Sequence, residues 1–133
     1  MKTYEFNVRV RYSETDQMGV VYHGNYAQYF EMGRVEWLRN IGVSYKSMEE
    51  NGVMLPVVSL NMNYKKPARY DDLLRVKTIF KSLTSVKIEF DYEIYNEQNE
   101  LLTIGNSILV FVHMKTGRPM AAPEYIKEKL LGI

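Results

Sequence analysis

Cysteine is absent from this 133-residue chain, which removes disulfides, thiolate metal sites and a cysteine nucleophile together and leaves the redox compartment unread. Long apolar runs are missing too. Although 46% of residues are apolar, no stretch approaches the roughly 18 uninterrupted apolar positions of a membrane-spanning helix. Neither sign of charge is in excess: a formal net charge of +1 creates no strong field for nucleic acid or an anionic membrane. The opening Met1-Lys2-Thr3-Tyr4-Glu5-Phe6 has no following apolar block or small-residue cleavage site, so no secretory leader is read there and a cytoplasmic protein is the simplest expectation. Histidine occurs only at His23 and His113, without a second ligand at helical or hairpin spacing, so no metal site is expected. There is no Gly-x-Ser-x-Gly elbow, Ser-x-x-Lys pair or phosphate-cradling glycine loop, which takes away the basis for serine-hydrolase and nucleotide-hydrolase chemistry. Repeats, low-complexity blocks and linkers are also missing, and a single domain over residues 1–133 is expected.

What the chain has in quantity is tyrosine and methionine, 11 and 8 residues respectively, which supply adaptable apolar contact area for a core, a subunit interface or a ligand pocket. Residues 3–12 alternate, with Tyr4, Phe6, Val8 and Val10 on one side and Glu5, Asn7, Arg9 and Arg11 on the other, as in a half-buried strand. A helix is predicted over 25–40, ended by Gly42, and a short one over 44–52, closed by Asn51-Gly52. Strands are predicted over 53–65, 73–81, 86–96 and 101–113, with Leu83-Thr84-Ser85 and Glu97-Gln98-Asn99-Glu100 as short connections. A turn at Thr116-Gly117-Arg118-Pro119 precedes a last helix over 123–131. One strand, one long apolar helix and about four more strands joined by short loops imply an α+β unit, an antiparallel sheet curled around the helix. So small a sheet exposes an edge, and pairing two edges across a two-fold axis buries it; at least a dimer is expected.

The most informative stretch is 12–39. Asp16 stands in the turn Thr15-Asp16-Gln17-Met18-Gly19, a few residues ahead of His23, which immediately precedes the long helix. Asn25 is a good N-cap, with Gln28 completing a capping-box pair, and Tyr26, Tyr29, Phe30, Gly33, Trp37 and Ile41 recur at spacings of three and four to make one buried stripe. Unpaired N–H groups and partial positive charge at a helix start stabilise an oxygen that becomes negative, and a neighbouring carboxylate attacks or activates water. Read from the turn alone, Asp16 serves first to bond its own backbone, and His23 first to stabilise the helix start. Glu31 and Arg34 are expected to pair at i,i+3.

The run Thr15-Asp16-x-x-Gly19-Val20-Val21-Tyr22-His23-x-Asn25-Tyr26, followed by Glu31-x-x-Arg34, resembles the signature of hotdog-fold acyl-CoA thioesterases of the 4-hydroxybenzoyl-CoA thioesterase class, short-chain acyl-CoA branch. The segment Lys66-Pro67-Ala68-Arg69 also fits. The resemblance implies a sheet of about five strands wrapped around a long central helix and hydrolysis of an acyl-CoA to free acid and CoA without a cofactor. It makes Asp16 the catalytic carboxylate, His23 its helper, and the backbone N–H at His23 or Gly24 the donor to the thioester carbonyl. Tyr22, Gly24 and Asn25 are then substrate contacts; Val58 and Ser59, with Val57, line the pantetheine channel. Lys66 and Arg69, with Lys65, Lys115 and Arg118, offer a cationic rim for CoA phosphates. Active sites shared between two subunits, in dimers or tetramers, are implied as well. A thiolate leaves readily, its conjugate thiol having a pKa near ~8.5, so no strong general acid is needed. Whether Asp16 attacks directly or through water stays open, and so do two alternatives: an acyl carrier protein thioesterase and a non-catalytic binder of an acyl ligand.

Overall fold

The computed structural model describes residues 2–132. In chain order the elements are β1 (Thr3–Arg9), α1 (Tyr26–Asn40), α2 (Tyr45–Glu50), β2 (Val53–Met54), β3 (Val57–Tyr64), β4 (Leu73–Thr84), β5 (Lys87–Tyr95), β6 (Leu101–Val110), β7 (Val112–His113) and α3 (Glu124–Leu131). Two 3-10 turns, Tyr12–Glu14 and His23–Asn25, occupy the segment between β1 and α1. Five strands form one antiparallel sheet in the order β1-β4-β5-β6-β3, while β2 and β7 pair separately. With α1 laid along one face of that sheet, this is the α+β hotdog arrangement that the resemblance implied. Among the described residues no helix is long and apolar enough to cross a membrane.

Period-two patterning sets the inner face. On β5, Ile88, Phe90, Tyr92 and Ile94 are buried, while Glu89, Asp91 and Glu93 alternate with them. On α1, Tyr26, Tyr29, Phe30, Gly33, Trp37 and Leu38 are buried against that face, and Ile41 is half-buried. Phe30 stacks on Tyr92 at 4.4 Å between centroids, and Trp37 meets Phe90 edge-on at 5.2 Å. Aromatic residues and a glycine are indifferent helix formers, costing up to roughly 1 kcal/mol each. Removing a side chain such as Phe30 from water contributes roughly 1.5–3 kcal/mol, so packing on the sheet decides the conformation.

Two glycines set how closely helix and sheet approach. A Cβ on Gly33 would lie 2.5 Å from Thr78 Oγ1 and 2.9 Å from Val76 Cγ1, and one on Gly105 of β6 would overlap the Phe30 ring. At each contact a bare backbone position on one surface therefore receives a side chain of the other.

Several expectations are corrected. The strand foreseen over 53–65 is broken at Leu55-Pro56, and its first part, β2, pairs with β7 rather than joining the main sheet. β4 runs to Thr84, because a bulge between Phe80 and Ser82 shifts the register and lets Leu83 and Thr84 pair with Ile88 and Lys87; the turn falls at Ser85, φ +53°. Asn25 does not cap α1: its backbone is already helical (φ −81°, ψ −14°) and it makes no side-chain cap bond. The 3-10 turn winds the chain before α1 begins, so the extended residue ahead of the helical stretch is Tyr22. Glu31 and Arg34 form no ion pair among the described residues. Arg34 turns inward, donating to Tyr92 Oη at 3.2 Å and Tyr45 Oη at 3.3 Å, and the i,i+3 pair on this helix is Glu36 with Arg39.

The close approach gives a substitution whose sign is diagnostic. On an exposed helix position, glycine to alanine stabilises by up to about 1 kcal/mol. Gly33→Ala is expected to destabilise instead, by roughly 1–3 kcal/mol in urea denaturation, as overpacking does; a variant as stable as wild type would contradict the packing described.

Candidate active site

Between β1 and α1 the chain makes a small hairpin closed by the Thr15–Val21 bridge. At its tip Asp16 accepts the Met18 amide on Oδ1 at 2.8 Å, and its own carbonyl accepts the Gly19 amide at 3.0 Å. Gly19 takes φ +79°, which glycine adopts without a Cβ penalty. The turn role foreseen for Asp16 is thus real, yet it uses one carboxylate oxygen; Oδ2 has no hydrogen-bond partner among the described residues. From this hairpin Val21 donates to the Ala68 carbonyl at 2.8 Å and Val20 bridges to Arg69, which brings the segment after β3 alongside.

The result is an open cavity of about 350 Å³ lined by Asp16, Val20, Val21, His23, Tyr26, Tyr64, Lys65, Lys66 and Pro67. Asp16 and His23 are both solvent-exposed at it. The 3-10 turn that contributes His23 opens the helical stretch, and the amides of His23 and Gly24 donate to no protein acceptor among the described residues. Tyr22 packs its ring on His23 at 4.3 Å and over Gly24, where a Cβ would come within 2.8 Å of a ring carbon.

Of the residues foreseen from the sequence, Asp16, His23, Lys65 and Lys66 meet at this cavity, and the others do not. Tyr22 precedes the turn and Gly24 lies within it, and neither lines the cavity. Asn25 points the other way, its Nδ2 donating to the Glu14 carbonyl at 2.8 Å. Lys66 lines the cavity with its ammonium held by Glu100 at 2.7 Å. Arg69 lies in an adjoining depression with Lys66, Pro67 and Asp72. Val58 and Ser59 lie toward the far end of β3 from Tyr64, roughly 20 Å along an extended strand, and do not line the cavity within one chain. Lys115 and Arg118, in the turn after β7, lie outside it as well.

Two residues were missed. Tyr64 closes one wall, its hydroxyl donating to the His23 carbonyl at 3.1 Å and its ring meeting Tyr26 at 5.2 Å. Glu14, 3% exposed, accepts the Arg11 amide at 2.8 Å and the Tyr29 hydroxyl at 3.0 Å on Oε1, and the Arg11 guanidinium at 3.0 and 3.2 Å on Oε2. Burial pushes the Glu14 carboxyl up, but the Arg11 amide, the Tyr29 hydroxyl and the Arg11 charge outweigh it and hold the group below its ordinary value. Burial, and then the bond to Glu14, drive Tyr29 the opposite way. The one signal for Glu14 in the sequence is its i,i+3 spacing from Arg11.

Comparison with known proteins identifies the family. Residues 10–130 match the family described as the thioesterase-like superfamily. The chain belongs to that superfamily. Among curated relatives of this thioesterase-like chain, the putative acyl-CoA thioesterase YneP of Bacillus subtilis (strain 168) is 39% identical over 113 residues, covering 85% of this chain and 82% of the relative. The acyl-CoA thioester hydrolase YbgC of Escherichia coli O6:H1 is 33% identical over 123 residues, 92% of each. Among solved structures, a DHNA-CoA thioesterase from Staphylococcus aureus superposes with a TM-score of 0.95 at 37% identity, covering 99% of this chain and 91% of that one.

The charged state of Glu14 gives this thioesterase-like chain a pH signature. Its carboxyl is more acidic folded than unfolded, so the unfolded chain takes up the proton first. Its stabilisation is therefore complete above the unfolded value of 4.5 and is lost as pH falls through the lower folded value. In melts from about pH 6 down to about pH 3, the melting temperature of wild type is expected to drop more steeply than that of Glu14→Gln. Parallel acid limbs would contradict the ion pair.

Proposed function

We propose that the chain hydrolyses an acyl-CoA thioester to the carboxylic acid and CoA, with Asp16 as nucleophile or general base and the His23 or Gly24 amide polarising the carbonyl. The observation that carries this reading is that a carboxylate with one unengaged oxygen and the turn opening α1 border the same cavity, in a chain related to proteins named acyl-CoA thioesterases. Attack on the thioester carbon, by Asp16 or by a water it deprotonates, drives negative charge onto the carbonyl oxygen, where the unpaired amides stabilise it. Collapse expels the CoA thiolate. On the direct route water then hydrolyses the acyl anhydride of Asp16; on the other, the acid forms at once. Either way one water is consumed and the thiolate regains a proton. His23, on the same rim, orients Asp16 or the water. Lys65, Lys66 and Arg69 supply cationic contacts for the CoA phosphates.

The working unit in this reading is a dimer. β3 is an edge strand with Val57, Val58, Leu60 and Tyr64 all at least 40% exposed, an apolar edge that a second copy covers. Antiparallel pairing of two β3 strands about a centre near Asn61 sets Val58 of one copy opposite Tyr64 of the other, beside the cavity wall. That placement accounts for the separation of Val58 and Ser59 from the site within one chain, and makes them part of the substrate channel.

A thiol-release assay with acetyl-, butanoyl-, palmitoyl- and benzoyl-CoA tests the reading. Wild type is expected to cleave at least one, Asp16→Asn to lose about a hundredfold or more in kcat, and His23→Ala to lose less. Leu60→Lys is expected to sediment as a monomer with little turnover. Full activity in Asp16→Asn would end the assignment, and cleavage confined to acyl groups on acyl carrier protein would replace the substrate class.

A further inference from the structure

The 3-10 turn His23–Asn25 stands at the surface: Tyr22, His23 and Gly24 are all exposed, so apolar burial cannot hold their amides in place. What fixes the turn is a set of polar bonds, and two of them converge on one carbonyl. The backbone oxygen of Glu14 accepts the Tyr22 amide at 2.9 Å and the Asn25 side-chain amide at 2.8 Å, spanning the turn from the residue before it to its last residue. Glu14 is in turn pinned by its own buried carboxylate, which receives Arg11 on one side and the Tyr29 hydroxyl of α1 on the other. Two residues further along the chain stands Asp16.

From this we infer that Glu14 is a positioning residue for the reaction. Its side chain ties the Asp16 hairpin to α1, and its carbonyl ties the same hairpin to the turn that presents the His23 and Gly24 amides. The inference rests on the proposed reading of the site. Glu14 touches neither the cavity nor the reacting atoms. Its effect is on the distance between attacking carboxylate and donating amides, a quantity to which rate is steeply sensitive, since a misplacement of about 1 Å costs up to about a hundredfold. Such an effect falls on transition-state stabilisation, hence on kcat, and leaves substrate binding nearly alone.

The test uses Glu14→Gln, which keeps the shape but sets an amide N–H₂ or a neutral oxygen against the Arg11 guanidinium, and Tyr29→Phe, which removes one bond to the carboxylate. Both are measured on the CoA ester cleaved fastest in the panel above, beside Asp16→Asn. Glu14→Gln is expected to lose about tenfold or more in kcat with KM within about twofold, and Tyr29→Phe to lose severalfold with the same split. In both, hydrogen exchange at the Tyr22 amide is expected to accelerate while exchange in β5 stays at wild-type rates. If both variants keep wild-type kcat, or lose activity through KM alone, or leave Tyr22 exchange unchanged, the positioning role is wrong, whereas the assignment of Asp16 still stands on its own variant. If Asp16→Asn retains turnover, the reading of the site fails and the catalytic role of Glu14 falls with it; Tyr22 exchange then reports only whether Glu14 holds the turn.

Discussion

The fold is organised by how closely α1 lies on the sheet. Gly33 lets the helix backbone settle against Val76 and Thr78 of β4, and Gly105 leaves β6 bare where the Phe30 ring comes down. Phe30 then stacks on Tyr92, and Trp37 wedges against Phe90. A helix held that tightly has little freedom to slide or roll, because interiors are packed to crystal-like density. Its N-terminal end therefore has a defined position, on which the proposed reaction depends.

Away from the core the means of support change from burial to hydrogen bonding. Tyr29 sits one turn into α1, fully buried, and places its hydroxyl on Glu14. Tyr26 receives the Ala68 amide at 3.4 Å, and Tyr64 reaches back from β3 to the His23 carbonyl. Tyr26 and Tyr29 have their apolar bodies buried, Tyr64 is half exposed, and all three turn a polar tip to backbone or carboxylate, a division of labour this side chain suits. Three tyrosines and one buried carboxylate thus carry positional order from the core out to an exposed turn. Arg34 has a similar internal role: burial opposes its charge, but the phenol oxygens of Tyr92 and Tyr45 offset that cost, and Tyr92 shares a further hydrogen bond with Ser107 at 2.6 Å.

Much of this was legible in the residue order. The alternation in β1, β4 and β5 and the three-and-four spacing in α1 reflect burial on one face, which periodicity reports directly. The turn around Asp16 and its proximity to His23 were legible because both belong to one short segment. What was not legible depended on distant partners. Arg11 and Glu14 look like an ordinary surface pair until Tyr29 closes over them from another element. Arg34 reads as a partner for Glu31 until Tyr45 and Tyr92 arrive from α2 and β5. Asn25 has the composition of a cap, but the 3-10 turn ahead of it moves the start of helical winding upstream and frees its side chain for Glu14. The bulge after Phe80 lengthens β4 without disturbing the alternation before it, so only the pairing partners reveal it. Val58 and Ser59 lie apart from the cavity within one chain because β3 is extended, and a sequence pattern does not report that distance.

The proposed reaction depends most on where a thioester carbonyl sits. A crystal structure of Asp16→Asn with the best-cleaved acyl-CoA measures this directly. The expected result is the carbonyl oxygen about 3 Å from the His23 or Gly24 amide, the substituted side chain facing the carbonyl carbon, and β3 of a second copy along the pantetheine arm. A thioester bound with its carbonyl turned away from that turn, or held in a different cavity, would contradict it.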